Sequence, residues 1–156
     1  MLEKLERLTG DVAALHCKLI LLVGAPRAGK TAFLLRLAKR FETEPMNVGR
    51  ELGRQLAAVP QKQRRLQTGS ILRELADQNT RSDLLLFDNI EILFDRTLQL
   101  DPLDLLKRHA HARRIVAVWP GELRGDTRTG RLTYAETGHP EHRDYGVAGL
   151  VIFEMQ

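Results

Sequence analysis

The chain has a single cysteine, a single tryptophan and only 5% aromatic residues in 156. A lone Cys17 can form no intramolecular disulfide, which excludes a disulfide-built scaffold; placed before an apolar run, it reads as a small core residue. No apolar run approaches the ~18 residues needed to span a bilayer, so no transmembrane segment is expected. The opening Met-Leu-Glu-Lys-Leu-Glu is too acidic and too interrupted for a signal peptide, and a cytoplasmic setting is expected. Arg64-Arg65 and Arg113-Arg114 have no aromatic residues interleaved, so neither makes a stacking platform for single-stranded nucleic acid. His139 and His142, with Glu141 and Asp144, are too few in histidine to argue a metal site and read as a surface loop. There is no internal repeat and no low-complexity segment.

What is present is the composition of a globular domain, 43% hydrophobic and 28% charged, at a length that fits one domain with a real core. The net charge of +4 permits contact with DNA or an acidic partner without requiring either. Against this background one segment is specific. Gly24-Ala25-Pro26-Arg27-Ala28-Gly29-Lys30-Thr31 fits the phosphate-binding pattern G-x-x-x-x-G-K-[ST] at every constrained position. Chance gives such a match in roughly one chain in 200 of this length, so its setting decides. Leu19 to Val23 before it is a continuous apolar run, as in a strand buried on both faces. After it, Phe33, Leu34, Leu37, Ala38 and Phe41 keep a helical period, with Arg36, Lys39 and Arg40 on the solvated face. A glycine loop between strand and helix offers backbone N–H groups and a helix N-terminus to a polyphosphate. Lys30 is expected to reach the β and γ phosphates and the Thr31 hydroxyl to bind Mg2+. Pro26, without an N–H, shapes the loop only.

A second apolar run, Leu84 to Phe87, ends at Asp88. A carboxylate at the end of a strand beside the phosphate loop is the expected Mg2+ partner, the Walker B role. Many ATPases place a glutamate next to orient the attacking water; here that place is Asn89, and Glu91 is the candidate base. Arg96 and Arg143 are candidates for an arginine finger acting between subunits of a homo-oligomer, ahead of Arg124, Arg128 and Arg131.

The rest of the chain reads as helices and strands in alternation. A helix is expected over residues 1–15, with a break at Gly10, then a short strand at 46–48 and a helix at 51–58 stopped by Pro60. Residues 61–65 read as a polar loop, and Thr68 or Ser70 as the cap of a helix running to about Gln78. A helix over 101–112 with Asp101 as its cap, a strand over 115–119, a loop or hairpin excursion over 122–146 around Gly130 and a last strand over 147–153 complete the reading. The predicted fold is α/β: a three-layer P-loop NTPase core with a mostly parallel sheet, of the RecA/AAA-like branch, without room for a helical lid. No Asn-Lys-x-Asp string occurs, which disfavours a GTPase. The strand ending at Trp119 also lacks a polar residue to sense the γ phosphate.

The string Asp88-Asn89-Ile90-Glu91-Ile92-Leu93-Phe94-Asp95, with Asp101-Pro102-Leu103, resembles the BrxF family, the small P-loop proteins of type III BREX (bacteriophage exclusion) systems. Leu132-Thr133-Tyr134-Ala135-Glu136, then Gly138-His139-Pro140-Glu141 and Tyr145, is similar to that family's C-terminal segment. The resemblance spans nearly the whole chain. It implies a nucleotide-dependent component of a phage-defence complex, working beside a large ATPase, a DNA methyltransferase, a phosphatase-like protein and a helicase. It assigns phosphate binding to Gly24, Gly29, Lys30 and Thr31 and the Walker B acid to Asp88. Three activities are consistent with the sequence: an ATP-binding and hydrolysing subunit, a nucleotide-binding switch with little turnover, which Asn89 favours, and a small-molecule kinase using 122–146 as a lid.

Overall fold

The computed structural model describes residues 1–25, 27–79, 83–135 and 142–155. Its centre is a parallel sheet of β1 (Leu19–Val23), β2 (Met46–Asn47), β3 (Leu84–Asp88), β4 (Arg114–Val118) and β8 (Val151–Glu154), in the order β2-β3-β4-β1-β8. All four pairings are parallel. The continuous apolar runs are explained by burial on both faces. Leu19, Leu21 and Val23 of β1 pack into one apolar cluster, and Ile20 and Leu22 into the other. The second cluster is completed by α1 (Leu2–Asp11) and α2 (Lys30–Arg40). The first is completed by α3 (Val48–Ala57), α4 (Gln61–Asn79) and α5 (Pro102–His109). Helices on both faces of a mostly parallel sheet make three layers.

Residues 122–146 contain a second sheet, antiparallel, of β5 (Glu122–Arg124), β6 (Arg131–Tyr134) and β7 (Arg143–Gly146). The expected excursion is therefore an ordered platform on the described residues. Trp119 fixes it to the core. The indole is buried and donates to the Thr133 carbonyl at 3.0 Å, and it packs edge-on against Phe94 and Tyr145. Gly121 lies so close beneath that a Cβ there would stand 1.5 Å from the Thr133 carbonyl oxygen.

Several boundaries differ from the sequence reading. Residues 61–65 are the first turns of α4, not a loop: the Gln63 N–H bonds the Pro60 carbonyl at 2.8 Å, so the proline opens this helix as well as closing α3. Thr68 lies inside α4 and returns its hydroxyl to the Arg64 carbonyl at 2.6 Å, so it is no cap. α1 continues past Gly10 into a 3-10 turn at Val12–Ala14. Val48 begins α3, because Asn47 caps that helix by accepting the Arg50 N–H at 3.0 Å. α5 stops at His109, and β8 begins only at Val151, after a turn in which Gly149 has φ +80°. Cys17 is half-buried, its Sγ 4.0 Å from the Lys107 carbonyl oxygen. No helix among the described residues is long and apolar enough to cross a membrane.

Candidate nucleotide-binding site

β1 and α2 present the loop of residues 24–31 at the carboxyl edge of the parallel sheet. Gly29, at φ +84°, occupies the left-handed region that a side chain disfavours, and it stands immediately before α2. Its carbonyl accepts the Phe33 N–H at 2.9 Å, which starts the helical ladder. Gly24 is crowded from another side: a Cβ there would lie 3.1 Å from the Met155 carbonyl oxygen. Ala28 N–H bonds the Ala25 carbonyl at 3.0 Å, closing a tight turn, and Arg27 is exposed. Pro26 lies outside the described residues. Lys30 extends back along the loop, its Nζ donating to the Gly24 and Ala25 carbonyls at 2.8 and 3.0 Å. Partial burial lowers its pKa from the ordinary lysine value.

Asp88 ends β3, two strands from β1 with β4 between them. Its carboxylate nevertheless meets the loop: Thr31 Oγ1 donates to Asp88 Oδ1 at 3.2 Å. Lys30, Thr31, Asp88 and Glu91 line one open cleft of about 780 Å³. A neighbouring cleft of about 480 Å³, rimmed by Glu42, Glu44 and Glu51, holds none of those four. Glu91 opens the short 3-10 turn Glu91–Phe94. Its pKa is raised, first by burial and then by the Asp88 charge beside it. Glu91 still reaches solvent, and a carboxylate so perturbed accepts a proton more readily than an ordinary glutamate.

Oxygen donors suit Mg2+, and the Thr31 hydroxyl and the Asp88 carboxylate stand together at the loop. No cluster of three or more His, Cys, Asp or Glu among the described residues forms a protein-only metal cage. A metal held here would draw its remaining ligands from phosphate oxygens and water, as Mg2+ usually does.

Some residues of the cleft were not anticipated. Asn47, from the end of β2, is paired in register with Asp88. Asn89 adopts φ +53° and turns its amide to Asn47, Nδ2 donating to Oδ1 at 2.9 Å, while its own N–H bonds Asp88 Oδ1 at 2.9 Å. Tyr134 and Ala135, at the end of β6, close the cleft from the platform side, and Tyr134 stacks on Phe94 at 4.0 Å. A strand-ending Asn ahead of a helix was the available signal for Asn47; Tyr134 stood out only within the string at 132–136, with nothing to place it at the cleft.

Arg96 and Arg143 do not line the cleft. Arg96 is exposed on a 3-10 turn, whereas Arg143 donates to the Leu100 carbonyl at 2.9 Å and ties β7 to the segment before α5. The basic pairs are largely engaged within the chain: Arg64 with the Val59 carbonyl, Arg65 with Gln99, Arg113 with Asp77 and Arg114 with Asp83. His139 and Glu141 lie outside the described residues; His142 Nδ1 is 3.2 Å from the Ala135 carbonyl, and Asp144 pairs with Arg131. Comparison with family models, curated proteins and solved structures finds no match for this chain.

Proposed function

We propose that this chain binds a nucleoside triphosphate, ATP by the sequence reading, together with Mg2+ in the cleft of Lys30, Thr31, Asp88 and Glu91, and hydrolyses it. The observation that carries this reading is the 3.2 Å hydrogen bond from Thr31 to Asp88, which joins the phosphate-loop pattern to the strand-ending acid. The strand order, with β4 between β1 and β3, supports the RecA/AAA-like branch of P-loop NTPases. The resemblance to the BrxF family supports a role as a subunit of a phage-defence complex, assembling with itself or with the large ATPase, methyltransferase, phosphatase-like and helicase components; the net charge of +4 permits contact with DNA.

In this mechanism the loop N–H groups and the start of α2 hold the phosphates, and Lys30 exchanges its loop carbonyls for phosphate oxygens. The Thr31 hydroxyl and Asp88 hold Mg2+. When bound, the ion neutralises charge on the β and γ phosphate oxygens. Glu91 orients a water and takes its proton, a task its raised pKa suits. The second reading, a switch with little turnover, is favoured by Asn89: the position that commonly carries the base is turned to Asn47 and offers no carboxylate.

ATP turnover and equilibrium binding by wild type, Lys30→Ala, Asp88→Asn and Glu91→Gln, with and without DNA, test this. Wild-type turnover abolished by Lys30→Ala and Glu91→Gln supports hydrolysis. Tight Mg2+-dependent binding with turnover equal to that of Lys30→Ala selects the switch.

A further inference from the structure

The 24–31 loop has two flanks. On one lies the charged cleft of Lys30, Asp88 and Glu91. On the other lies a separate cleft of about 430 Å³, lined by Ala28, Gly29, Ala32, Phe33, Arg36 and Met155 among others, within the volume range of small-ligand sites. The two differ in chemistry. The first gathers two carboxylates and an ammonium; the second is lined by apolar Leu2, Phe33 and Met155 together with Glu3, Arg36 and Arg40.

Met155 is fixed there by the sheet. Its N–H bonds the Val23 carbonyl at 2.8 Å, and its backbone crowds Gly24. Phe33 is held edge-on against Phe153, with ring centres 5.8 Å apart. Ala32 and Arg36 stand one turn apart on the exposed face of α2, and the Arg36 guanidinium lies 5.8 Å from the Phe33 ring centre. A guanidinium plane and a thioether are both good partners for the face of a heteroaromatic ring.

We propose that this second cleft is the base site: the nucleobase of the triphosphate lies between Met155 and Arg36, over Ala32, and the phosphates run across Gly29 toward Lys30 and Asp88. The inference rests on the proposed triphosphate site and adds the residues that grip its nucleoside end. The direction follows from the two flanks, because the reacting phosphate needs the metal-holding and proton-accepting groups and the base needs an apolar face. The grip is by ring faces.

Titration calorimetry of the full chain with Mg·ATP and with Mg·tripolyphosphate separates the two ends of the ligand. Wild type is expected to bind ATP roughly tenfold more tightly than tripolyphosphate, as one stacked base confers. Ala32→Leu, which fills the cleft, and Arg36→Ala/Met155→Ala, which strips it, lose most of that advantage and leave tripolyphosphate unchanged. The second variant alters accessible side chains and keeps the test open if Ala32→Leu does not fold. Lys30→Ala weakens both ligands. Equal wild-type affinities, or an ATP advantage that survives the folded variants, overturn the base site and leave the phosphate loop standing. Binding of neither ligand by wild type overturns the phosphate-loop reading and the base site with it.

Discussion

Asn89→Asp exchanges an amide for a carboxylate of the same shape, and the left-handed backbone at φ +53° tolerates both residues. The change therefore isolates one hydrogen bond. Asn89 Nδ2 donates to Asn47 Oδ1 at 2.9 Å, and the same oxygen accepts the Arg50 N–H at 3.0 Å as the cap of α3. In the variant two acceptors face each other at that distance. Asn47 cannot relieve the conflict by rotating its amide, since its NH2 would then face the Arg50 N–H and α3 would lose its cap. The lost hydrogen bond costs about 1 kcal/mol, and the repulsion or the lost cap about 1 more. The new charge also stands beside Asp88 and Glu91 in the cleft. Urea unfolding at pH 7 should show a loss of about 2 kcal/mol, a fall of roughly 4–8 °C in Tm for a chain of this size. In an Asn47→Ala background the same change should cost well under 1 kcal/mol, because the opposing oxygen is gone. A loss below about 0.5 kcal/mol in wild type, or the same loss in both backgrounds, refutes the amide lock.

Glu91→Gln should keep ATP binding and lower turnover by about 10²–10⁴-fold. Because burial and Asp88 raise the Glu91 pKa, wild-type turnover should climb with pH through a range above the ordinary 4.5 of glutamate, and a pH–rate profile of Glu91→Gln should lack that limb. His109 titrates at about 4, held down by burial and then by the charges of Arg73, Arg108 and Arg113. The unfolded chain takes up that proton near the ordinary histidine value of 6.5, so stability falls as pH drops from about 6.5 toward 4. Discounted for partial exposure the loss is of order 1 kcal/mol, and His109→Gln should show a smaller drop in Tm between pH 7 and pH 5 than wild type. Gly121→Ala places a methyl group within 1.5 Å of the Thr133 carbonyl oxygen and should cost about 3 kcal/mol or more, read by the same urea unfolding.

The legible parts of the sequence were those where one local pattern decides. β1, β3 and β4 stand out because a strand buried on both faces must be apolar throughout. The start of α4 was illegible because its first turns are solvated: from Gln61 to Gln67 no side chain is buried, so no periodicity is written there. β8 was read too long because Val147 is as buried as a strand residue, yet it closes a turn through the Leu150 N–H. At the site, the 24–31 loop and Asp88 are encoded within their own segments. Asn47 is not. It enters the cleft only because β2 pairs with β3 in a register that sets it opposite Asp88, a relation between residues 41 positions apart.

The end of β4 explains where the polar groups of the cleft come from. β4 lies between the loop strand and the Asp88 strand, so its carboxyl end opens onto the cleft, where it offers Val118 and Pro120. Strand alternation turns Trp119 to the opposite face, into the cluster that carries α3, α4 and α5. A residue that spends its N–H on Thr133 cannot also meet a phosphate. Polar contact with a ligand beyond the loop, Asp88 and Glu91 must then come from the Asn47–Asn89 pair beside Asp88, or from the β6 end at Tyr134 and Ala135. That second source belongs to the platform, and Tyr134 is stacked on Phe94, three residues beyond Glu91. The platform cannot rotate without parting that stack and the Trp119–Thr133 bond. Its position and the placement of the 3-10 turn that begins with Glu91 are therefore one mechanical unit. Gly121→Ala, which pushes on the platform 1.5 Å from the Thr133 carbonyl oxygen, should lower turnover as well as stability, although the atoms nearest to its new methyl group belong to Thr133 and Trp119.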